Sequence, residues 1–176
     1  MKPRGPLMIE HRLIEKMITI IRDRTAAMQR QGQADLAFVD IAVDFIRTYA
    51  DRTHHGKEED ILFKTLADKD ISNENARMMQ ALIEDHKYGR HTIADLVQAK
   101  EQYLTGNDNA LTTIFDKLNA LVEFYPEHIR KEDKEFFPNS EQYLSEKEQQ
   151  EMLQSFADFD RNMIHEKYKS IVEQLR

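Results

Sequence analysis

Apolar residues recur at three- and four-residue steps along most of the chain, and the few glycines and prolines that could interrupt them lie far apart. That period predicts helices throughout. A first helix is expected from about Pro6, a residue suited to an opening turn, to about Gln31, with Ile14, Ile18, Ile21 and Met28 on a stripe that His11 continues. A second is expected from near Asp35 to about Ala67, where Val39, Val43, Ile46 and Ala50 lead into His54, Glu58 and Ile61. The third spans roughly Asn73 to Thr105, with Met79, Leu82, Ile83, His86, Ile93 and Val97 in register. The fourth starts near Asp108 and carries Ile114, Leu118, Leu121, Tyr125, His128, Glu132 and Phe136 on one side, ending at Pro138-Asn139-Ser140. Pro126 removes a backbone hydrogen bond inside it and is expected to bend it just before His128. A last helix opens at Ser145-Glu146-Lys147-Glu148, a capping-box spacing, with Leu153, Phe156, Ile164, Tyr168, Ile171 and Leu175 apolar.

Four long helices joined by short links favour an all-α, up-down-up-down four-helix bundle, an architecture that builds metal sites between facing helices. Residues 1–140 are expected to form the bundle, and residues 141–176 an additional C-terminal helix packed on the same domain. A length of 176 residues fits one domain. The 25 basic and 32 acidic residues give a net charge of −7 with no Lys/Arg stripe, so no nucleic-acid partner is expected. There is no cysteine, which removes disulfides, thiolate nucleophiles, iron–sulfur clusters and Cys-based zinc sites. Any metal must be held by nitrogen and oxygen. No stretch approaches the roughly 18 apolar residues of a membrane span, and no apolar segment follows Met1-Lys2-Pro3-Arg4-Gly5-Pro6. The expectation is a soluble, cytoplasmic protein without membrane association.

The chemistry lies in a duplication. A lone His11 is followed by His54-His55-Gly56-Lys57-Glu58-Glu59, and a lone His86 by His128-Ile129-Arg130-Lys131-Glu132-Asp133. His54 follows His11 by 43 residues, and His128 follows His86 by 42. A single His-x-x-x-Glu carries little weight, since His11 to Glu15 and His55 to Glu59 also match it. The weight comes from agreement of the halves at His54/His128, Lys57/Lys131, Glu58/Glu132 and Phe63/Phe137, with an acid at Glu59/Asp133. The i, i+4 spacing puts imidazole and carboxylate on one helical face. His55 and Glu59 continue the Ile41 and Phe45 stripe and could equally point inward, but Ile129 stands opposite His55 in the repeat, which favours His54 and Glu58.

Two similar halves each donating two imidazoles and one carboxylate would enclose a symmetric pair of ions through His11, His54, Glu58, His86, His128 and Glu132. Buried unpaired, these groups would cost several kcal/mol each; bound cations remove that cost. Imidazole with carboxylate suits iron, manganese or zinc better than calcium or magnesium. Coordination positions left open would admit a small ligand. The ordinary alternative is that such pairs decorate solvated helix faces. That is the reading taken for Glu135, His165 and His91, and for the charged neighbours Lys57, Lys131 and Lys134. Glu59 and Asp133 stay open between solvation and orienting an imidazole. Tyr125 and the eight methionines read as core. The Glu-x-x-His of ferritin-like di-iron proteins, the zincin His-Glu-x-x-His, Gly-rich phosphate loops and the Gly-x-Ser-x-Gly elbow are all absent.

From His11 through Phe137 the chain resembles the hemerythrin-like, or HHE cation-binding, family, whose pattern is H…HxxxE…H…HxxxE. The resemblance implies a four-helix bundle holding two iron ions, a non-haem di-iron centre with an oxo or hydroxo bridge, on the six residues named above. It further implies a protein that binds or turns over peroxide, nitric oxide or dioxygen, as an enzyme or as a non-catalytic sensor, carrier or storage protein. No catalytic residue and no protein partner is nominated. The chain departs from the oxygen carriers of the family where they place a further histidine four residues after the one in the third helix. Arg90 stands there, and His91 is one residue too late, so the resemblance implies that one metal lacks that nitrogen and that simple oxygen transport is not the role.

Overall fold

The computed structural model describes residues 2–174, the side chains of residues 170, 171, 173 and 174 excepted. Leu175 and the side chain of Ile171, both expected on the last apolar stripe, lie outside the described residues. Helix α1 (Arg4–Gln31) ends at Gly32, whose φ of +65° is a conformation that suits glycine. Helix α2 runs unbroken over residues 36–67. It starts as an α-helix (Leu36–Asp44), widens into π-helical turns at Phe45–His55 and Glu58–Phe63, and closes as Lys64–Ala67. Its first turn is capped by Asp35, which accepts from the Phe38 amide at 3.1 Å. Asp35→Ala is expected to cost about 1 kcal/mol, readable as a lower midpoint in thermal unfolding.

Helix α3 (Asn73–Leu104) is capped by Ser72 and followed by Gly106 at φ +92°. Helix α4 covers residues 110–140. It is α-helical over Ala110–Lys131, π-helical over Glu132–Phe136 and α-helical again over Phe137–Ser140. The chain passes through Pro126 without a break. The helix ends over Pro138-Asn139-Ser140, as expected. Helix α5 (Glu146–Gln174) opens with the expected capping box: the Ser145 amide donates to Glu148 Oε2 at 2.8 Å and the Glu148 amide to Ser145 Oγ at 3.3 Å.

The result is an all-α four-helix bundle with an additional C-terminal helix. Its interior is built in three layers. A large apolar cluster from Ile14 to Met28, Val39 to Ala50, Ile93 to Ala99 and Ile114 to Ile129 fills one end. A second, made of Leu7, Leu62, Phe63, Leu66, Leu82, Phe136 and Phe137, fills the other, and Met152 and Phe156 of α5 complete it. The nominated histidines and glutamates fall in sequence where the chain passes from one cluster to the other, His128 just before the last residue of the first, so the bundle encloses a polar layer with dry packing above and below. Burying such a layer is costly unless its atoms are paired. Among the described residues no helix is long and apolar enough to cross a membrane.

Candidate metal centre

All four helices of the bundle contribute to the polar layer. His11 comes from α1, His54 and Glu58 from α2, His86 from α3, and His128 and Glu132 from α4; none is more than 1 % exposed. His11 and His54 meet tip to tip, Nε2 to Nε2 at 2.8 Å. Glu132 reaches three imidazoles, lying 3.2 Å from His11 Nε2, 3.4 Å from His128 Nε2 and 3.6 Å from His86 Nε2. Glu58 lies 3.4 Å from both His54 Nε2 and His86 Nε2. The two carboxylates therefore stand between the two pairs of imidazoles.

The structure also brings in a histidine that the duplication argued against. His55 is 2 % exposed, stacks on His86 with ring centroids 3.8 Å apart and meets His128 edge-on at 5.5 Å. Two potential ligand sets result, His55 with His86 and His128, and His11 with His54, Glu58 and Glu132. Within each, the ligand atoms lie within 4.8 Å of one another. In an α-helix, consecutive side chains diverge by about 100°, so His54 and His55 should not share a face. They do not: His54 points to His11 of α1 and His55 to His86 of α3, so both reach the layer from different sides of α2, within i→i+5 turns of a kind frequent at functional sites. The duplication led to two imidazoles per half, and the structure places a fifth, His55, against His86 and His128.

Each imidazole is oriented the same way. Asp133 accepts from His11 Nδ1 at 2.7 Å, Glu59 from His86 at 2.7 Å, Glu10 from His54 at 2.8 Å, Asp85 from His128 at 3.3 Å and Asp51 from His55 at 3.3 Å. A carboxylate on Nδ1 fixes the tautomer and turns the Nε2 lone pair into the layer, the outer arrangement typical of metal-bound histidine. Basic residues hold these acids: Arg12 on Asp133, Lys57 on Glu10, Lys131 on Asp85 at 2.9 Å, and Arg90 on Glu59 at 2.6 Å and Asp51 at 2.8 Å. The repeated lysines are thus not merely solvated, and Lys57 is fully buried, reaching Asp160 of α5 at 2.7 Å. Glu59 and Asp133, left open by the sequence, are acceptors. Even Phe63 and Phe137 match in role, since Phe137 stacks on His11 and Phe63 on His86. Sequence reasoning missed Glu10 and Asp85, although a visible signal existed: each lone histidine directly follows an acid. His91 and His165 are exposed, and Glu135 pairs with Arg130 at a half-exposed surface.

Inside the layer the donors are unpaired. Both oxygens of Glu58 and Glu132, and Nε2 of His55, His86 and His128, are buried without a hydrogen-bond partner. Burial pushes the Glu58 carboxyl well up, reinforced by Glu132 beside it. Burial works the same way on Glu132, but the charges of His128, His11 and His86 outweigh it and hold this carboxyl well down. Burial opposes charge on His11, yet Asp133 and Glu132 lift it to about 9, while His54 is driven well down by burial and by the His11 charge beside it. Without a cation, one proton on His11 must keep two inward lone pairs 2.8 Å apart from colliding. A cation satisfies the whole layer at once, and nitrogen with carboxylate oxygen is the donor set of iron, manganese or zinc.

Comparison with known proteins agrees with this chemistry. The chain is 21 % identical over 170 residues to a protein of Mycobacterium bovis and to proteins of two Mycobacterium tuberculosis strains, each described as uncharacterized. These matches cover 96 % of this chain, which spans 66 % of the length of those relatives. No solved structure matches it. The model of the hemerythrin HHE cation-binding domain matches residues 6–139, which include every inward-facing histidine and glutamate of the polar layer, and the chain belongs to that family.

Proposed function

We propose that this protein holds a non-haem di-iron centre that binds or turns over a small oxidant or diatomic ligand: peroxide, nitric oxide or dioxygen. His11 and His54 would hold one cation and His86 and His128 the other, with Glu58 and Glu132 serving both. Bound ions of this kind supply redox and Lewis-acid chemistry. The chain's own residues orient the imidazoles through their Nδ1 partners, exclude water with the two apolar layers, and admit small molecules.

The observation that carries the reading beyond cation binding is a cavity of about 90 Å³ against His55 and His86, walled by Ile46, Gly89, Ile93 and Tyr125 and rimmed by Arg47, Asp51 and Arg90. Such a space has room for a few waters or one diatomic molecule. Burial pushes the Tyr125 phenol up, so its hydroxyl stays protonated beside this space. Gly89 sits inside a long helix, where glycine costs about 1 kcal/mol relative to alanine; a methyl there would meet only Phe124, at 3.6 Å.

Anaerobically purified protein is expected to contain close to two irons per chain with charge-transfer absorption in the near ultraviolet. His54→Ala and His128→Ala should each lower the metal content, and unchanged content in both sinks the ligand assignment. Repeated turnover of peroxide or nitric oxide makes the protein an enzyme. A stable stoichiometric adduct makes it the sensor or carrier that the enclosed site would equally serve.

A further inference from the structure

We propose that His55 is a metal ligand and that it makes the two cation positions unequal, with three imidazoles at one and two at the other. The proposal rests on the cation-binding reading above and adds a residue outside the duplicated motif.

His55 shares the environment of its neighbours His86 and His128. Its Nδ1 is tied to a carboxylate, Asp51, and that carboxylate is held by Arg90. Its Nε2 is buried with no partner, as are those of His86 and His128. The three rings offer ligand nitrogens within 4.8 Å of one another. Packing alone does not account for it. The matching position in the other half is Ile129, 3 % exposed, which fills its space with an apolar side chain and leaves no donor unpaired. A histidine in that environment with one ring nitrogen unsatisfied is a net loss unless something binds it. Arg90 stands on α3 one turn after His86, and by holding Asp51 and Glu59 together it orients both His55 and His86.

The consequence is a difference in affinity. An extra imidazole adds one protein–metal bond at that position that the other position lacks, while the two carboxylates are common to both. The three-imidazole position should therefore fill first and more tightly, and the His11/His54 position second.

The test is a calorimetric titration of cation-free protein with Co(II), with ligand-field absorption recorded in parallel. Wild type should take up two ions in two resolved steps. His55→Ala should weaken the tighter step by more than about 100-fold, beyond the 10–100-fold typical of losing only an orienting partner, and leave the other step in place. His55→Gln, close in volume, should do the same and keeps the test decisive if the alanine variant misfolds; circular dichroism verifies the fold of each. If folded variants retain both steps with affinities and spectra like wild type, His55 is a packing residue and the inference falls while the metal reading survives. If wild type binds no ion, both fall together.

Discussion

Glu132→Ala is expected to abolish stable loading of both cation positions. Glu132 is fully buried and approaches His11, His86 and His128 from one carboxylate, so it touches imidazoles of both sets. Losing an outer residue that merely orients a ligand already costs about 10–100-fold in metal affinity; losing a carboxylate common to two ions must cost more at each. The variant also removes a negative charge from the interior of the layer, so a cation at either position loses electrostatic attraction as well as a ligand atom. Elemental analysis after dialysis should find well under one ion per chain, against about two in wild type. Full loading of the variant would show that Glu132 does not hold the ions. Because loading and folding are linked, the variant should also lose the stabilisation that added metal gives wild type, visible as a melting temperature that no longer responds to Fe(II) or Co(II).

Lys57→Ala should destabilise the fold by about 3 kcal/mol, while the equivalent Lys131→Ala costs about 1 kcal/mol or less. The two lysines occupy the same place in the repeat and hold corresponding acids, Glu10 and Asp85, against His54 and His128. They differ in burial. Lys57 is 0 % exposed and its ammonium lies between Glu10 and Asp160, whereas Lys131 is 29 % exposed. Breaking a buried pair by removing one partner costs about 3–5 kcal/mol, because the other charge is left without compensation. The lower end applies here, since Asp160 remains 43 % exposed. Burial already pushes the Glu10 carboxyl up and Lys57 opposes that shift; without the lysine Glu10 protonates more readily and loosens its hold on His54. Urea denaturation of the two variants in parallel reads the difference directly, and equal losses would refute it.

The inner faces were legible in the sequence because helical period alone aligns His11 with Ile14 and Ile18, and His86 with Leu82 and Ile93. The six nominated residues converge for that reason. The partners that orient them were harder to see, since they are remote in sequence: Lys57 and Glu10 are 47 residues apart, Lys131 and Asp85 are 46. Read locally, a lysine flanked by acids looks like a solvated face, and only tertiary packing turns it into a strut. His55 was hidden for a different reason. The repeat set Ile129 against it, and the helical period turns it about 100° away from His54, toward α3 rather than α1, where only the packed bundle shows the imidazoles it joins.

The last helix sets a charge, Asp160, against Lys57, the lysine of the first half. Where α5 lies over Lys57, water is displaced, and a unit charge 4 Å away there is felt at about 4 kcal/mol, against about 1 kcal/mol in open water such as partly bathes Lys131. His54 and His128 consequently lie in electric fields of different strength although the residues around them correspond. A disturbance at Asp160, more than a hundred residues along the chain from His54, would be transmitted to that imidazole and damped by solvent before it reached the other. The fold is duplicated, but its dielectric surroundings are lopsided.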